Sequence, residues 1–174
     1  LVIRDIDPVY TLGDMERQRQ ETIARLQADG VFEMNRELAL PAVAQRLAII
    51  SSSKAAGFQD FMRELERNGA GYRIEADLFE AFMQGNEAER SIIAALDNIL
   101  PLAEHYDAVV IIRGGGSQSD LGCFDSYCLC SYIAQFPLPV VTGIGHDKDV
   151  SVADMVAHTS LKTPTAVARF FLDR

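Results

Sequence analysis

The residues best suited to chemistry in this sequence follow a short apolar run. Residues 109–112 are Val-Val-Ile-Ile, and Arg113, three glycines and Ser117 come directly after them. An arginine guanidinium donates paired hydrogen bonds to phosphate oxygens and keeps its charge at any working pH. Adjacent glycines free the backbone to turn several N–H groups toward one anion. The spacing therefore predicts a cradle for a phosphate group, formed by Arg113, Gly114, Gly115, Gly116 and Ser117.

A second loop of the same kind follows residues 140–142 and contains His146, Asp147 and Asp149 after a Gly-Ile-Gly turn. Histidine changes its charge near neutral pH, so His146 could take a proton from water or give one to a departing oxygen. Asp149, together with Asp60 from an earlier segment, could orient that imidazole or hold a divalent cation such as Mg²⁺. These residue types predict phosphate chemistry.

Each of these residues also has a structural interpretation. Arg113 could end its strand in a salt bridge, and the glycines could form a tight turn without a ligand. Asp60 could simply place its charge in the first turn of a helix. The chemical interpretation is favoured because three consecutive glycines are hard to explain by packing. The Arg-Gly-Gly-Gly-Ser stretch lacks the Gly-x-Gly-x-x-Gly dinucleotide fingerprint, and the sequence has no Gly-x-x-x-x-Gly-Lys-Ser/Thr phosphate loop.

The three cysteines raise the question of a metal cluster. Cys123, Cys128 and Cys130 lie within one short segment, but no second Cys pair follows and the usual zinc spacing is absent. They are predicted to be reduced, partly buried thiols on a helix.

Apolar runs and amphipathic stretches alternate along the chain and must position these loops. Strands are predicted at 47–51, 72–82, 107–113 and 140–142, with helices between them and after the last. This alternation predicts an α/β fold of three layers, with a mostly parallel sheet and helices on both faces. Residues 1–6 are predicted to add an edge strand. Because ligands of such sheets bind beyond the carboxyl ends of the strands, the loops 51–60, 113–120 and 143–149 are expected to converge.

Length and composition predict a single domain over residues 1–174. The chain has 174 residues, of which 48% are hydrophobic, enough for one full core. It begins with Leu1 in a strand-like segment, which predicts a fragment of a longer protein. An uncharged apolar run of about 18 residues and a secretion signal are both absent from the sequence, so a cytoplasmic setting without a membrane partner is expected.

The charge balance limits how the chain could meet a nucleic acid. Its 25 acidic and 16 basic residues give a net charge of −9, which repels nucleic acid at long range. Affinity for a nucleic acid must then come from a local cationic cleft or from a domain outside this chain.

Four motifs occur in order along the chain. They are residues 7–13 (Asp-Pro-Val-Tyr-Thr-Leu-Gly), 52–60 (Ser-Ser-Lys-Ala-Ala-Gly-Phe-Gln-Asp), 113–121 (Arg-Gly-Gly-Gly-Ser-Gln-Ser-Asp-Leu) and 143–149 (Gly-Ile-Gly-His-Asp-Lys-Asp). Their order and approximate spacing resemble the exonuclease VII large-subunit family. Residues 163–166, Thr-Pro-Thr-Ala, are similar to the same family. The resemblance spans nearly the whole chain.

The resemblance implies an exodeoxyribonuclease that hydrolyses phosphodiester bonds of single-stranded DNA to acid-soluble oligonucleotides. It also implies an N-terminal OB-fold domain that binds DNA and a C-terminal helical extension that recruits the small subunit, both outside this chain. Carried over by motif, the catalytic positions are Asp60, Arg113, His146 and Asp149.

The sequence departs from the family pattern at two places. The usual Gly-His-Glu-Thr-Asp is Gly-His-Asp-Lys-Asp at 145–149, and His158 stands where the family more often has an acid. Both changes could alter cation binding. Members of the family differ in their need for a metal, so the resemblance leaves Mg²⁺ open, with Asp60 and Asp149 as candidate ligands.

Two other functions fit the glycine loop. A phosphotransferase or sugar-phosphate enzyme could use it for a nucleotide, and a noncatalytic anion-binding or assembly module could use it without any reaction.

Overall fold

A computed structural model of the chain describes residues 2–67, 73–113, 118–144 and 150–173, with side chains from residue 13 onward and, in the third range, from residue 122. Within these ranges strands and helices alternate. The helices are α1 Val2–Ala28, α2 Ala56–Glu66, α3 Ala88–Ile99, α4 Tyr127–Gln135, α5 Val152–Val156 and α6 Pro164–Leu172. The strands are β1 Arg46–Ser51, β2 Glu75–Glu80, β3 Ala108–Ile112, β4 Val140–Gly143 and β5 Thr159–Leu161. Two 3₁₀ segments cover Leu100–His105 and Gln118–Asp125.

The five strands form one parallel sheet in the order β2-β1-β3-β4-β5. The chain therefore starts in the interior of the sheet, moves to one edge with β2, and returns to build the other side from β3. The order reverses between β1 and β3, and a crevice opens at such a point beyond the carboxyl ends of the two strands. The predicted parallel α/β architecture is confirmed.

The sheet is covered on both faces, as its uninterrupted apolar strands require. Alternate residues of β3 serve the two faces: Val109 and Ile111 pack with α3, α4 and α5, whereas Val110 and Ile112 pack with α2 and α6. All five residues of β3 are buried. The sheet is therefore the middle of three layers, and β3 is its central strand.

The predicted N-terminal edge strand is wrong. Residues 2–28 form one continuous helix, and the edges of the sheet are β2 and β5. A short apolar run does not distinguish a strand from a helix by periodicity, which explains the error. Strand β5 was not predicted, because three residues carry too little pattern. Among the described residues, every helix is too short or too polar to cross a membrane.

Candidate functional site

The carboxyl ends of three central strands are joined by hydrogen bonds. Ser51, the last residue of β1, is fully buried and donates its hydroxyl to the Ile112 carbonyl at 3.0 Å. The Arg113 backbone N–H donates to the Gly143 carbonyl at the end of β4, at 2.9 Å. Arg113 therefore leaves the sheet at the crevice between β1 and β3, from a fixed backbone position.

Arg113 is a buried cation at this edge. Its side chain is only 3% exposed, whereas arginine is normally among the most exposed residues. A guanidinium stays charged when it is buried, so such a position is tolerated only where polar or anionic groups surround it. Its charge acts on Cys123: burial and the nearby Glu89 raise the pKa of this thiol to about 12, and Arg113 opposes that rise.

Gly143, the last residue of β4, allows the end of this strand to pack closely against α6. A Cβ atom on this residue would lie 2.6 Å from Val167 Cγ2, closer than real Cβ contacts, and 3.1 Å from the Thr163 carbonyl oxygen, which is tight. Any larger residue here would therefore force its neighbours to shift. The chain leaves β4 toward residues 145–149 from a closely packed position.

A buried carboxylate ties both flanks of that loop together. Asp154 is 2% exposed and accepts the Thr142 hydroxyl at 2.6 Å on Oδ1. Its Oδ2 accepts the Ser151 N–H at 3.2 Å and the Ser151 hydroxyl at 2.9 Å, completing a capping box at the start of α5. Sequence reasoning missed Asp154, although the Ser-x-x-Asp spacing is the signature of such a cap.

Helix α1 and the second 3₁₀ segment bind the residues that follow the loop 145–149. Asp125 accepts the Val152 N–H at 2.9 Å, and the Thr22 hydroxyl donates to the Asp125 carbonyl at 2.8 Å. Arg19 donates to the Val150 carbonyl at 2.5 Å. Burial raises the pKa of Asp125, while the bond from Val152 and the charge of Arg19 lower it.

The loop after β1 is fixed by an acid on the neighbouring strand. Glu80, which ends β2, accepts the Ser53 N–H at 2.8 Å and the Ser53 hydroxyl at 2.9 Å. These two bonds lower the pKa of Glu80, and Lys54 adds to the effect. The turn closes when the Ala55 N–H donates to the Ser52 carbonyl. This short loop lies beside the crevice and carries hydroxyls and a lysine.

Asp60 lies in the second turn of a helix. It was predicted at the end of the loop 51–60 or in the first turn of the helix that follows, but α2 begins at Ala56. Its carboxylate is exposed and bonds Arg63 at 3.3 Å, one turn on in the same helix. The sequence alone assigned Ala55 and Ala56 to a turn, but Ala55 is the extended N-cap and the helix begins at Ala56, with Phe61 packed against the sheet.

Most of the predicted site lies outside the described residues. Those positions are Gly114, Gly115, Gly116, Ser117, His146 and Asp149. The described strand ends bring the chain to both of these segments at one edge of the sheet, so the convergence of the loops stays a prediction supported by topology. The three cysteines are free, as predicted.

Among the described residues, no group of three or more His, Cys, Asp or Glu side chains is arranged to hold a metal ion. Asp60 is the candidate ligand among these residues. Its carboxylate is a hard oxygen donor of the type that Mg²⁺ prefers, and it is open to solvent.

Comparison with known proteins identifies relatives. Residues 31–174 match the family model described as exonuclease VII, large subunit. The chain is 37% identical over 172 residues to the exodeoxyribonuclease 7 large subunit of Deinococcus radiodurans, covering 98% of this chain and 41% of that protein. It is 36% identical to the protein of the same name from Rhodopirellula baltica, covering 100% and 39%. The chain thus spans about two fifths of the length of these relatives.

Proposed function

This chain belongs to the exonuclease VII large-subunit family, and on that premise we propose that it is the catalytic domain of an exodeoxyribonuclease. The reaction is hydrolysis of phosphodiester bonds in single-stranded DNA to acid-soluble oligonucleotides. The observation that carries this proposal is Arg113, a buried cation at the crevice where the strand order reverses.

Arg113 is proposed to bind the scissile phosphate. Attack on a phosphodiester concentrates negative charge on the phosphoryl oxygens, and a preorganised guanidinium stabilises that charge in a site that excludes water. Burial supports this role, since the cation needs little reorganisation when the phosphate arrives. The N–H groups of Gly114, Gly115 and Gly116 and the Ser117 hydroxyl are proposed to complete the phosphate site.

His146 is the proposed proton carrier. It follows β4, the immediate neighbour of β3, and the flanks of its loop are held by Asp154 and Gly143. Asp149 and Asp60 are proposed to orient the imidazole or to hold a divalent cation. A bound Mg²⁺ would supply a Lewis acid for the phosphate oxygens, and these two carboxylates are its proposed ligands.

The proposed partners are single-stranded DNA and the small subunit of exonuclease VII, bound through regions beyond this chain, and the proposed setting is the cytoplasm. The net charge of −9 supports this division of roles, since a chain of this charge gains little long-range attraction for DNA. Local cations such as Arg113 and Lys54 then act on a strand that another domain delivers.

The test is a cleavage assay with the full-length large subunit assembled with its small subunit. Labelled single-stranded DNA should be converted to acid-soluble fragments, with duplex DNA of the same sequence as the control substrate. Arg113→Ala should abolish the conversion, and EDTA reports whether a cation takes part. An Arg113→Ala variant that cleaves at the wild-type rate would refute the proposed site. Calorimetric binding of ATP with no DNA cleavage would favour a phosphotransferase instead.

A further inference from the structure

Phe82 is an exposed aromatic side chain just beyond the carboxyl end of β2, and the proposed site lies at the carboxyl ends of the same sheet. It is 65% exposed, whereas the other exposed large apolar side chains in the described part of the chain are 40–48% exposed. A large apolar surface that stays in water at an otherwise ordered position often marks a binding site.

The backbone at Phe82 is held firmly, so the exposure does not come from a loose segment. The Phe82 N–H donates to the Ser91 hydroxyl at 2.8 Å, and the same hydroxyl lies 3.1 Å from the Phe82 carbonyl. Ala81 and Met83 on either side are 5% and 6% exposed and pack into the core. The aromatic ring is thus presented to solvent from a rigid base, which keeps the entropic cost of binding low.

Strand register brings the backbones of Phe82 and Arg113 to the same end of the sheet. Ser51 pairs with Glu80 on one side, and Ile50 pairs with Ile111 on the other, so Ala81 and Arg113 are at the same level along the strand direction. The Ala81 N–H also donates to the Ser51 carbonyl at 2.9 Å. Phe82 is one residue farther out, and two strand spacings, about 10 Å in total, separate the two backbones.

We infer that Phe82 is a stacking platform for one base of the single-stranded DNA whose phosphate Arg113 binds. This inference rests on the proposed function and adds a binding residue to it. Aromatic rings stack on bases of any sequence, and stacking supplies affinity that does not depend on charge. That suits an acidic chain, which gains little from long-range attraction to DNA.

A backbone separation of two strand spacings lets one short segment of single-stranded DNA reach both residues. The stacked base is therefore proposed to lie near the scissile phosphate, and the abasic scan below identifies its position.

The test uses the full-length large subunit assembled with its small subunit. Phe82→Ala should lower kcat/KM on single-stranded DNA about tenfold, mostly through KM, since one stacked base contributes about that much. Phe82→Trp should keep the wild-type value. Tyr132→Ala is the matched control: Tyr132 is a 40% exposed aromatic on α4, and its loss should leave kcat/KM unchanged.

An abasic scan then separates stacking from a structural role. Substrates with one cleavable phosphodiester carry a single abasic nucleotide at each of the three positions on either side of it. At one position the wild type should lose about tenfold, and Phe82→Ala should lose nothing more there. An equal Phe82→Ala effect on every substrate would overturn the inference and indicate packing against another part of the protein. A Phe82→Ala enzyme with unchanged kcat/KM would also overturn it while leaving the proposed function intact, whereas a wild type that cleaves no DNA would refute both.

Discussion

Polar side chains fix the chain at both ends of the parallel strands, here called the amino edge and the carboxyl edge, but the carboxyl edge also carries a buried cation. At the amino edge, Asn35 is fully buried and brackets the start of β4: its Nδ2 donates to the Leu138 carbonyl at 2.9 Å, and its Oδ1 accepts the Val140 N–H at 2.8 Å. Asp107 accepts the Gln45 and Arg46 N–H groups at 2.7 and 3.0 Å at the start of β1. At the carboxyl edge, the buried polar residue that follows β3 is the cation Arg113.

Side chains that fix strand ends can therefore be separated from the side chain that is proposed to bind DNA. Polar atoms at the amino edge are satisfied by backbone groups of the same chain, so their contribution is to fix strand ends. At the carboxyl edge, Arg113 and the closely packed Gly143 lie where the chain enters the two loops that carry the proposed catalytic residues. Substitution of Asn35 at the amino edge should therefore change stability, whereas substitution of Arg113 at the carboxyl edge should change activity.

After Arg113→Ala, the variant Arg113→Lys should have the largest effect on activity. Lysine keeps the positive charge but lacks the planar fork that binds two phosphate oxygens, so kcat on single-stranded DNA should fall by about two to three orders of magnitude. The measurement is steady-state cleavage by the full assembly, with thermal unfolding as the check on folding. Activity within threefold of the wild type would mean that a point charge suffices and that the bidentate role is wrong.

Asn35→Ala should have the largest effect on stability. It leaves the Val140 N–H and the carbonyls of Phe136 and Leu138 without their buried partner, which should cost about 3 kcal/mol of unfolding free energy. Urea unfolding followed by circular dichroism measures the change. Gln135→Ala removes an exposed amide and is the matched control, expected within about 0.5 kcal/mol of wild type. Equal stability of the two variants would contradict the bracketing role of Asn35.

Gly143→Ala should cost less, about 2 kcal/mol, because the added methyl collides with Val167 Cγ2. Val167→Ala removes that atom, so the double variant should recover part of the loss in a double-mutant cycle. Urea unfolding of the four proteins gives the coupling energy. Purely additive effects would show that the Thr163 carbonyl, and not Val167, sets the limit.

The last prediction concerns the reactivity of a thiol near Arg113 and involves neither activity nor stability. Because the pKa of Cys123 is about 12, compared with a usual value of 9.0, its thiolate fraction at pH 8 falls about a thousandfold. Exposed Cys128 should therefore react with iodoacetamide first, with Cys123 and Cys130 protected until urea unfolds the protein. Intact-mass spectrometry counts the adducts. Rapid alkylation of Cys123 in the folded protein would place this thiol in water, contrary to its burial.

The carboxyl edge was easier to predict from sequence than the amino edge. Arg113 and the glycines after it stand out because a buried run ends abruptly in residues that bind anions. Asn35 lies in an irregular stretch before β1, and its bonds reach residues about one hundred positions away, so no local pattern indicates them. The same reasoning explains why Asp60 was predicted on a loop: where a helix begins depends on its packing against the sheet.

Asp154 differs from these cases because its signal was local and was overlooked. The Ser-x-x-Asp spacing predicts the cap at the start of α5, but the bond from Thr142, which couples that cap to β4, depends on the three-dimensional fold. Sequence could thus have identified the cap but not its role in holding both flanks of the His146 loop.

The most direct test of the role of Arg113 compares one residue from each edge in a single experiment. Arg113→Ala and Asn35→Ala are introduced separately into the full assembly, and cleavage of single-stranded DNA is measured per folded molecule, below both unfolding transitions. We expect Arg113→Ala to lose cleavage and Asn35→Ala to retain the wild-type rate despite its lower stability. Full cleavage by Arg113→Ala, or an equal loss in both folded variants, would contradict the assignment of function to the carboxyl edge.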